Sequence, residues 1–270
     1  PPNRVARSRS KLVGVPPRQE GPVPVASQTT FIARNWFALL VLVSAVLLLI
    51  TGASYAFEGV GAVSTFMFFV GLGGENNVGS WWSGMLLLLG AVLAFDGYCN
   101  AAKPKVERRG WAALSLALAL LSFDEVASLH EYISNIGVRY LVPFGLIGFG
   151  LVAYALVALR RGGMQTGALA RIVIAFCLLA TVPLQEYVQH NVEWQSGLIY
   201  GVRAVIEEGT EIAAMLMLIA VAAPNGAALL RDEGDIFAIA ARYRAIALPV
   251  GVLLVPVLAA ATFVLPYPPG

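Results

Sequence analysis

Charge is scarce in this chain. Only 13% of its 270 residues are Asp, Glu, Lys or Arg, against about 25% in a soluble domain. A water-facing surface cannot be built from so few charges at 58% apolar content and a mean hydropathy of +0.75. Histidine and cysteine are scarcer still, at two residues each. Cys99 and Cys177 lie in or beside apolar runs, which argues against a disulfide framework and for small buried hydrophobes. No H-E-x-x-H and no paired C-x-x-C occurs, so the short metal motifs are missing. A net charge of +2 is too small to point to nucleic acid.

Long apolar runs are what the chain does have. Seven stretches can cross a bilayer, near 36–56, 80–99, 111–131, 141–159, 169–189, 201–222 and 246–266, since a membrane helix needs about 20 apolar residues. The class is therefore an all-α polytopic membrane protein, with a polar tail over 1–35 and a seven-helix membrane domain over 36–266. An eighth run, 61–73, is short and ends in glycines, and reads as interfacial or re-entrant. Pro183, Pro249 and Pro256 fall within spans, where lipid-embedded helices tolerate them as kinks. The first run has an apolar core too long for a signal peptide and is expected to remain as an anchor.

Basic residues set the orientation. The tail with Arg34, the 103–109 loop, the 160–171 loop and the 231–244 segment hold six, four, three and three of the 18 Lys and Arg residues, leaving Arg139 and Arg203. These are alternate segments, so the positive-inside rule places them in the cytoplasm, with the C-terminus periplasmic. A bacterial inner membrane is the expected location. The tail is rich in proline and polar residues and cannot bury a core of its own. Its order would have to come from docking, and other membrane-protein subunits are the expected partners besides the lipid bilayer.

The acids collect on the other side. Asp124, Glu125 and Glu131 end the third span. Glu186 and Glu193, with His190, end the fifth. Glu207, Glu208 and Glu211 begin the sixth. At about 100° per residue, Asp124, Ser128 and Glu131 share a stripe, as do Glu186, His190 and Glu193, and Glu207 with Glu211. Any one acid alone is most simply a solvated helix end, and "HEYISN" (130–135) could be a loop beyond a shorter third helix. Three stripes on one side and at one depth are not explained that way, because a charge facing lipid is expensive. Asp124, Glu131, Glu186, His190, Glu193, Glu207 and Glu211 are expected to converge, with Glu208 and His130 at the edge.

Crowded carboxylates have three remedies: protonation, pairing of Arg203 with Glu207 one turn away, or a bound cation. Two histidines among carboxylates suit a divalent or di-metal centre of iron, manganese or zinc, of the kind helix bundles build from facing helices. This makes metal binding the leading function, with catalysis at the metal open. An accessory subunit of a larger complex and a cation or proton carrier are the alternatives. The carrier is disfavoured because only Asp96 sits toward the inner side. A bis-histidine haem through His130 and His190 would have a poor setting in a ring of carboxylates.

Asn77 or Ser80 is placed to cap the second span. Trp81 and Trp82 suit an interfacial aromatic belt, and Gly145, Gly148 and Gly150 would allow either close helix contact or a partner surface. "ENNVGSWWSG" (75–84), "FDEVASLHE" (123–131) and "EEGTE" (207–211) together resemble a group of bacterial multi-helix membrane proteins. That group pairs an E-N-x(4)-W-x-S segment with D-E-x(4)-H-E and a late E-E-x-x-E. The resemblance spans most of 57–222 and implies topology, not activity. The seven-helix hydrolases related to alkaline ceramidase need three histidines, one set as a late H-x-x-x-H, and this chain has two in all.

Overall fold

The structure is a computed structural model. It describes residues 31–56, 65–66, 69–72, 77–128, 141–191 and 197–225, without the side chains of 31–34, 141, 144, 186–191, 197–198 and 200. The described residues form six long helices: α1 (Phe31–Ala56), α2 (Val78–Cys99), α3 (Lys105–Ala127), α4 (Leu141–Arg161), α5 (Thr166–Asn191) and α6 (Gly197–Ala222). There is no strand among the described residues. Four stretches among them are long and apolar enough to cross a membrane: Asn35–Tyr55, Val78–Cys99, Lys105–Ala127 and Thr166–Gln185. In α6 the charges of Arg203, Glu207, Glu208 and Glu211 interrupt the apolar run. The predicted span at 246–266, the tail at 1–30 and the 231–244 segment lie outside the described residues.

α2 is the innermost helix because its faces carry small residues. Gly84, Gly90, Ala91, Ala94 and Gly97 are all buried, which lets neighbouring backbones approach. Gly90 rests on Leu118 of α3 and Ile219 of α6, and Gly97 on Trp111 of α3. Two serines of α3 donate to α2 carbonyls: Ser115 Oγ to Ala91 O at 2.8 Å, and Ser122 Oγ to Gly84 O at 2.7 Å. In lipid such bonds contribute roughly 0.6 kcal/mol each. Asn77 caps α2 in a capping box with Ser80, the two side chains each accepting the other's backbone N–H, as the sequence predicts. Trp81 is 56% exposed and fits the belt. Trp82 does not, because its Nε1 donates to the buried Ser44 Oγ of α1 at 3.0 Å and ties α2 to α1.

α6 packs on α1, α2 and α5. Gly52 of α1 meets Val205, and Gly201 meets Tyr55. α4 packs on α3 through Gly110, which lies against Leu159 and Ala155. Of the two roles open to Gly145, Gly148 and Gly150, close packing within the chain is not found among the described residues, where each has no neighbour within 4 Å of a Cβ. This stretch of α4 has left the α3 surface, and Leu146, Ile147 and Phe149 beside it are exposed.

Of the 61–73 run, Leu72 is buried against α1, with its N–H donating to Thr51 Oγ1 at 2.7 Å, and Gly71 and Leu72 lie on Gly79 at the start of α2. A side chain at residue 79 would collide with the Gly71 backbone. Gly79→Ala is therefore expected to destabilise the protein by about 1–3 kcal/mol through overpacking. Thermal melting of the purified variant in detergent checks this.

The contacts fix the up-and-down alternation of the helices. Residues 51–56 of α1, the starts of α2, α4 and α6 and the ends of α3 and α5 share one end. The described basic residues Lys103, Lys105, Arg108, Arg109, Arg160, Arg161 and Arg171 lie at the opposite end.

Candidate functional site

At the acidic end, α6 sets the frame. Its start at Gly197 precedes the expected 201, so Glu207 and Glu211 are the eleventh and fifteenth residues of a 26-residue helix. This corrects the expectation that they lie in the first turns. They sit in the middle of the helix, where a solvated end no longer accounts for them. Gly201, Val205 and Gly209 face α1. At 100° per residue, Arg203, Glu207 and Glu211 point to the other side of α6, away from that contact.

Glu207 is 9% exposed and paired with Arg203, whose Nη2 donates to Glu207 Oε2 at 2.9 Å. The same Nη2 donates to the backbone carbonyl of Gln185 in α5 at 2.7 Å. The guanidinium thus neutralises one carboxylate and fastens α5 to α6. The i, i+4 ion pair follows from the sequence. The carbonyl contact does not, because a main-chain acceptor carries no side-chain signature. Glu186 follows Gln185 directly, which sets its backbone beside this pair, with His190 one turn farther along α5. Pro183 lies within α5 without ending it.

α3 contributes Asp124 and Glu125 in its last turn. Acids at a helix C-terminus oppose the macrodipole, so they do not serve the helix itself. Register gives their depth. Gly90 of α2 marks the level of Leu118 and Ile219, and Gly84 of α2 meets Val126 of α3. The same step along α6 from Ile219 reaches Ala213. Asp124 of α3 and Glu211 of α6 therefore lie within about one turn, 5.4 Å, in depth. Asp124, Glu125, Glu207, Glu208 and Glu211 all have interaction partners.

α3 stops earlier than its apolar pattern predicts. Ser128 is left-handed (φ 47°, ψ 40°), and its N–H returns to the Asp124 carbonyl. It is the one described non-glycine residue with positive φ. The helix therefore ends before the expected 131: Asp124 and Glu125 stay on it, and Ser128 has left the helical conformation. Glycine usually fills such a cap, and its absence here hides the helix end from sequence reasoning. His130, Glu131 and Glu193, and the side chains of Glu186 and His190, lie outside the described residues. Among the described residues, no three His, Cys, Asp or Glu side chains form a group able to hold a metal. Asp124 and Glu211 share a depth, Glu207 and Glu208 lie about one turn farther toward the start of α6, and the described side chains do not close on one point by themselves.

The helices and their charge distribution define an all-α protein with helices long and apolar enough to span a membrane and with acids gathered toward one end. The chain belongs to a specific family within that class: residues 35–223 match the domain of unknown function DUF8692, which covers α1 through α6. No curated protein and no solved structure matches it.

Proposed function

We propose that this protein is a bacterial inner-membrane protein that binds a divalent cation of the iron, manganese or zinc group on the periplasmic side of its bundle. The proposed ligands come from Asp124, Glu207, Glu208 and Glu211, completed by Glu131, Glu186, His130, His190 and Glu193. The observation that carries this reading is the position of Glu207 and Glu211 halfway along α6, with Glu211 within about one turn of Asp124 in depth. Among the residues at that end whose side chains are described, Arg203 is the single base beside five acids, and it pairs with Glu207. A divalent cation would ease the mutual repulsion of the gathered carboxylates and join α3, α5 and α6. Catalysis at the metal is compatible with this, and the residues name no substrate.

Thermal melting with and without a chelator tests the proposal. A ligand that binds only the folded state at a thousand times its Kd contributes about 4 kcal/mol. At about 2–4 °C per kcal/mol for a chain of this size, chelation is expected to lower the Tm by about 10 °C, and added metal to restore it. Melting indifferent to chelator would contradict the proposal.

One observation favours a second reading, an accessory subunit of a membrane complex. Residues 142–150 of α4 expose Val142, Leu146, Ile147 and Phe149 around Gly145, Gly148 and Gly150. Glycines that meet nothing among the described residues would let another helix approach closely. The two readings are compatible.

A further inference from the structure

The sequence contains two R-R-G tripeptides, Arg108–Arg109–Gly110 at the start of α3 and Arg160–Arg161–Gly162 at the end of α4. The fold brings them together through their glycines. A Cβ on Gly110 would lie 2.9 Å from the Leu159 backbone nitrogen, and one on Gly162 would lie 2.8 Å from Glu107 Cα. Each glycine thus sits against the residue that borders the other tripeptide. Two arginine pairs are held side by side at a contact that admits no larger residue.

These arginines are not consumed by the protein. Arg108 is partly engaged, its Nε donating to the Tyr98 carbonyl at 2.7 Å and its guanidinium over the Tyr98 ring at 5.3 Å. Glu107, the acid at this contact, is held by Lys103 and by Trp111 Nε1. Arg109, Arg160 and Arg161 are exposed, as is Lys105, and they form no ion pair among the described residues. Lys105, Arg108 and Arg109 also stand at a helix N-terminus, where the macrodipole disfavours cations. The positive-inside rule needs basic residues in a loop. It does not need them paired across a glycine contact against their mutual repulsion.

We propose that Lys105, Arg109, Arg160 and Arg161 form a ledge that binds the phosphate headgroups of anionic phospholipids. Guanidinium groups bind phosphate oxygens in a bidentate fork, and basic surfaces between membrane helices take anionic headgroups. The position fits that source of phosphate, because the candidate span Lys105–Ala127 begins at this ledge and the ledge lies where its apolar stretch gives way to polar surface.

The test is native mass spectrometry of the full chain in mild detergent, mixed with phosphatidylglycerol or with phosphatidylcholine. Each basic residue near an anionic surface contributes roughly fivefold in affinity. Wild type is therefore expected to retain phosphatidylglycerol several hundredfold better than phosphatidylcholine, with the preference falling as salt rises. In the triple variant Arg109→Gln/Arg160→Gln/Arg161→Gln the preference should fall to about fivefold, the share of Lys105, while Arg171→Gln should keep it. Equal retention of the two lipids by wild type would overturn the proposal, whatever the variants do. So would a triple variant with wild-type melting and an undiminished preference. Displacement of the bound lipid by inorganic phosphate at equal concentration would reassign the ledge to a soluble anion.

Discussion

Replacing Arg203 with methionine is expected to destabilise the protein by about 3–5 kcal/mol, the range found when one partner of a buried ion pair is removed. The side chains of Arg203 and Glu207 are each 12% exposed. Methionine keeps much of the arginine stem's bulk, so the loss would report on charge and hydrogen bonding rather than on a cavity. Two bonds disappear at once, the one to Glu207 and the one to the Gln185 carbonyl. A second substitution separates the causes. In Arg203→Met/Glu207→Leu no carboxylate is left behind, and stability should recover by about 2 kcal/mol or more, since replacing a buried pair by apolar residues is often close to neutral. The deficit that persists measures the tie between α5 and α6. Denaturation in detergent with chelator present in every sample keeps metal binding out of the comparison. A double variant no more stable than Arg203→Met would show that the pair is not coupled.

Glu211→Gln and Asp124→Asn are each expected to weaken binding of the divalent cation by about a hundredfold or more. Loss of an outer-shell partner already costs 10–100-fold in metal sites, and these residues are proposed as direct ligands. Both side chains are partly exposed, so in the presence of chelator the variants should melt within about 0.5 kcal/mol of wild type, as surface substitutions do. This combination distinguishes a ligand from a structural acid, which would lower stability with or without metal. Glu107→Gln at the basic end is the control and should leave metal affinity unchanged. Competition titration against a fluorescent chelator measures all three. Unchanged affinity in both acid variants would remove Asp124 and Glu211 from the site.

The helices were legible because lipid imposes a length on apolar runs, and four of the described stretches are long and apolar enough to cross a membrane. Six of the expected runs coincide with α1 to α6, and the asymmetry of basic residues anticipates the two ends of the bundle. The ends of the helices were harder to read. Ser128 closes α3 in a conformation that glycine normally signals, and the apolar run alone carries the helix on to 131. The beginning of α6 at Gly197 adds a turn that hydropathy does not reveal, and that turn moves Glu207 and Glu211 from the helix end to its middle. Glycine was ambiguous in the same way. Gly97, Gly110 and Gly162 make close contacts, whereas Gly145, Gly148 and Gly150 make none among the described residues, and composition does not say which face of a helix meets a neighbour. Adjacent tryptophans point to different sides of α2, so Trp81 remains at the surface while Trp82 binds Ser44. Of the candidate site, the Arg203–Glu207 pair followed from spacing alone. The shared depth of Asp124 and Glu211 required the register of three helices.

Elemental analysis of the full chain, purified without chelator and without a metal-affinity step, tests the central claim most directly. The account predicts iron, manganese or zinc in stoichiometric amount, removed by dialysis against chelator and restored by that metal. Protein that is folded by its melting profile, carries no such metal and takes none up on titration would contradict it.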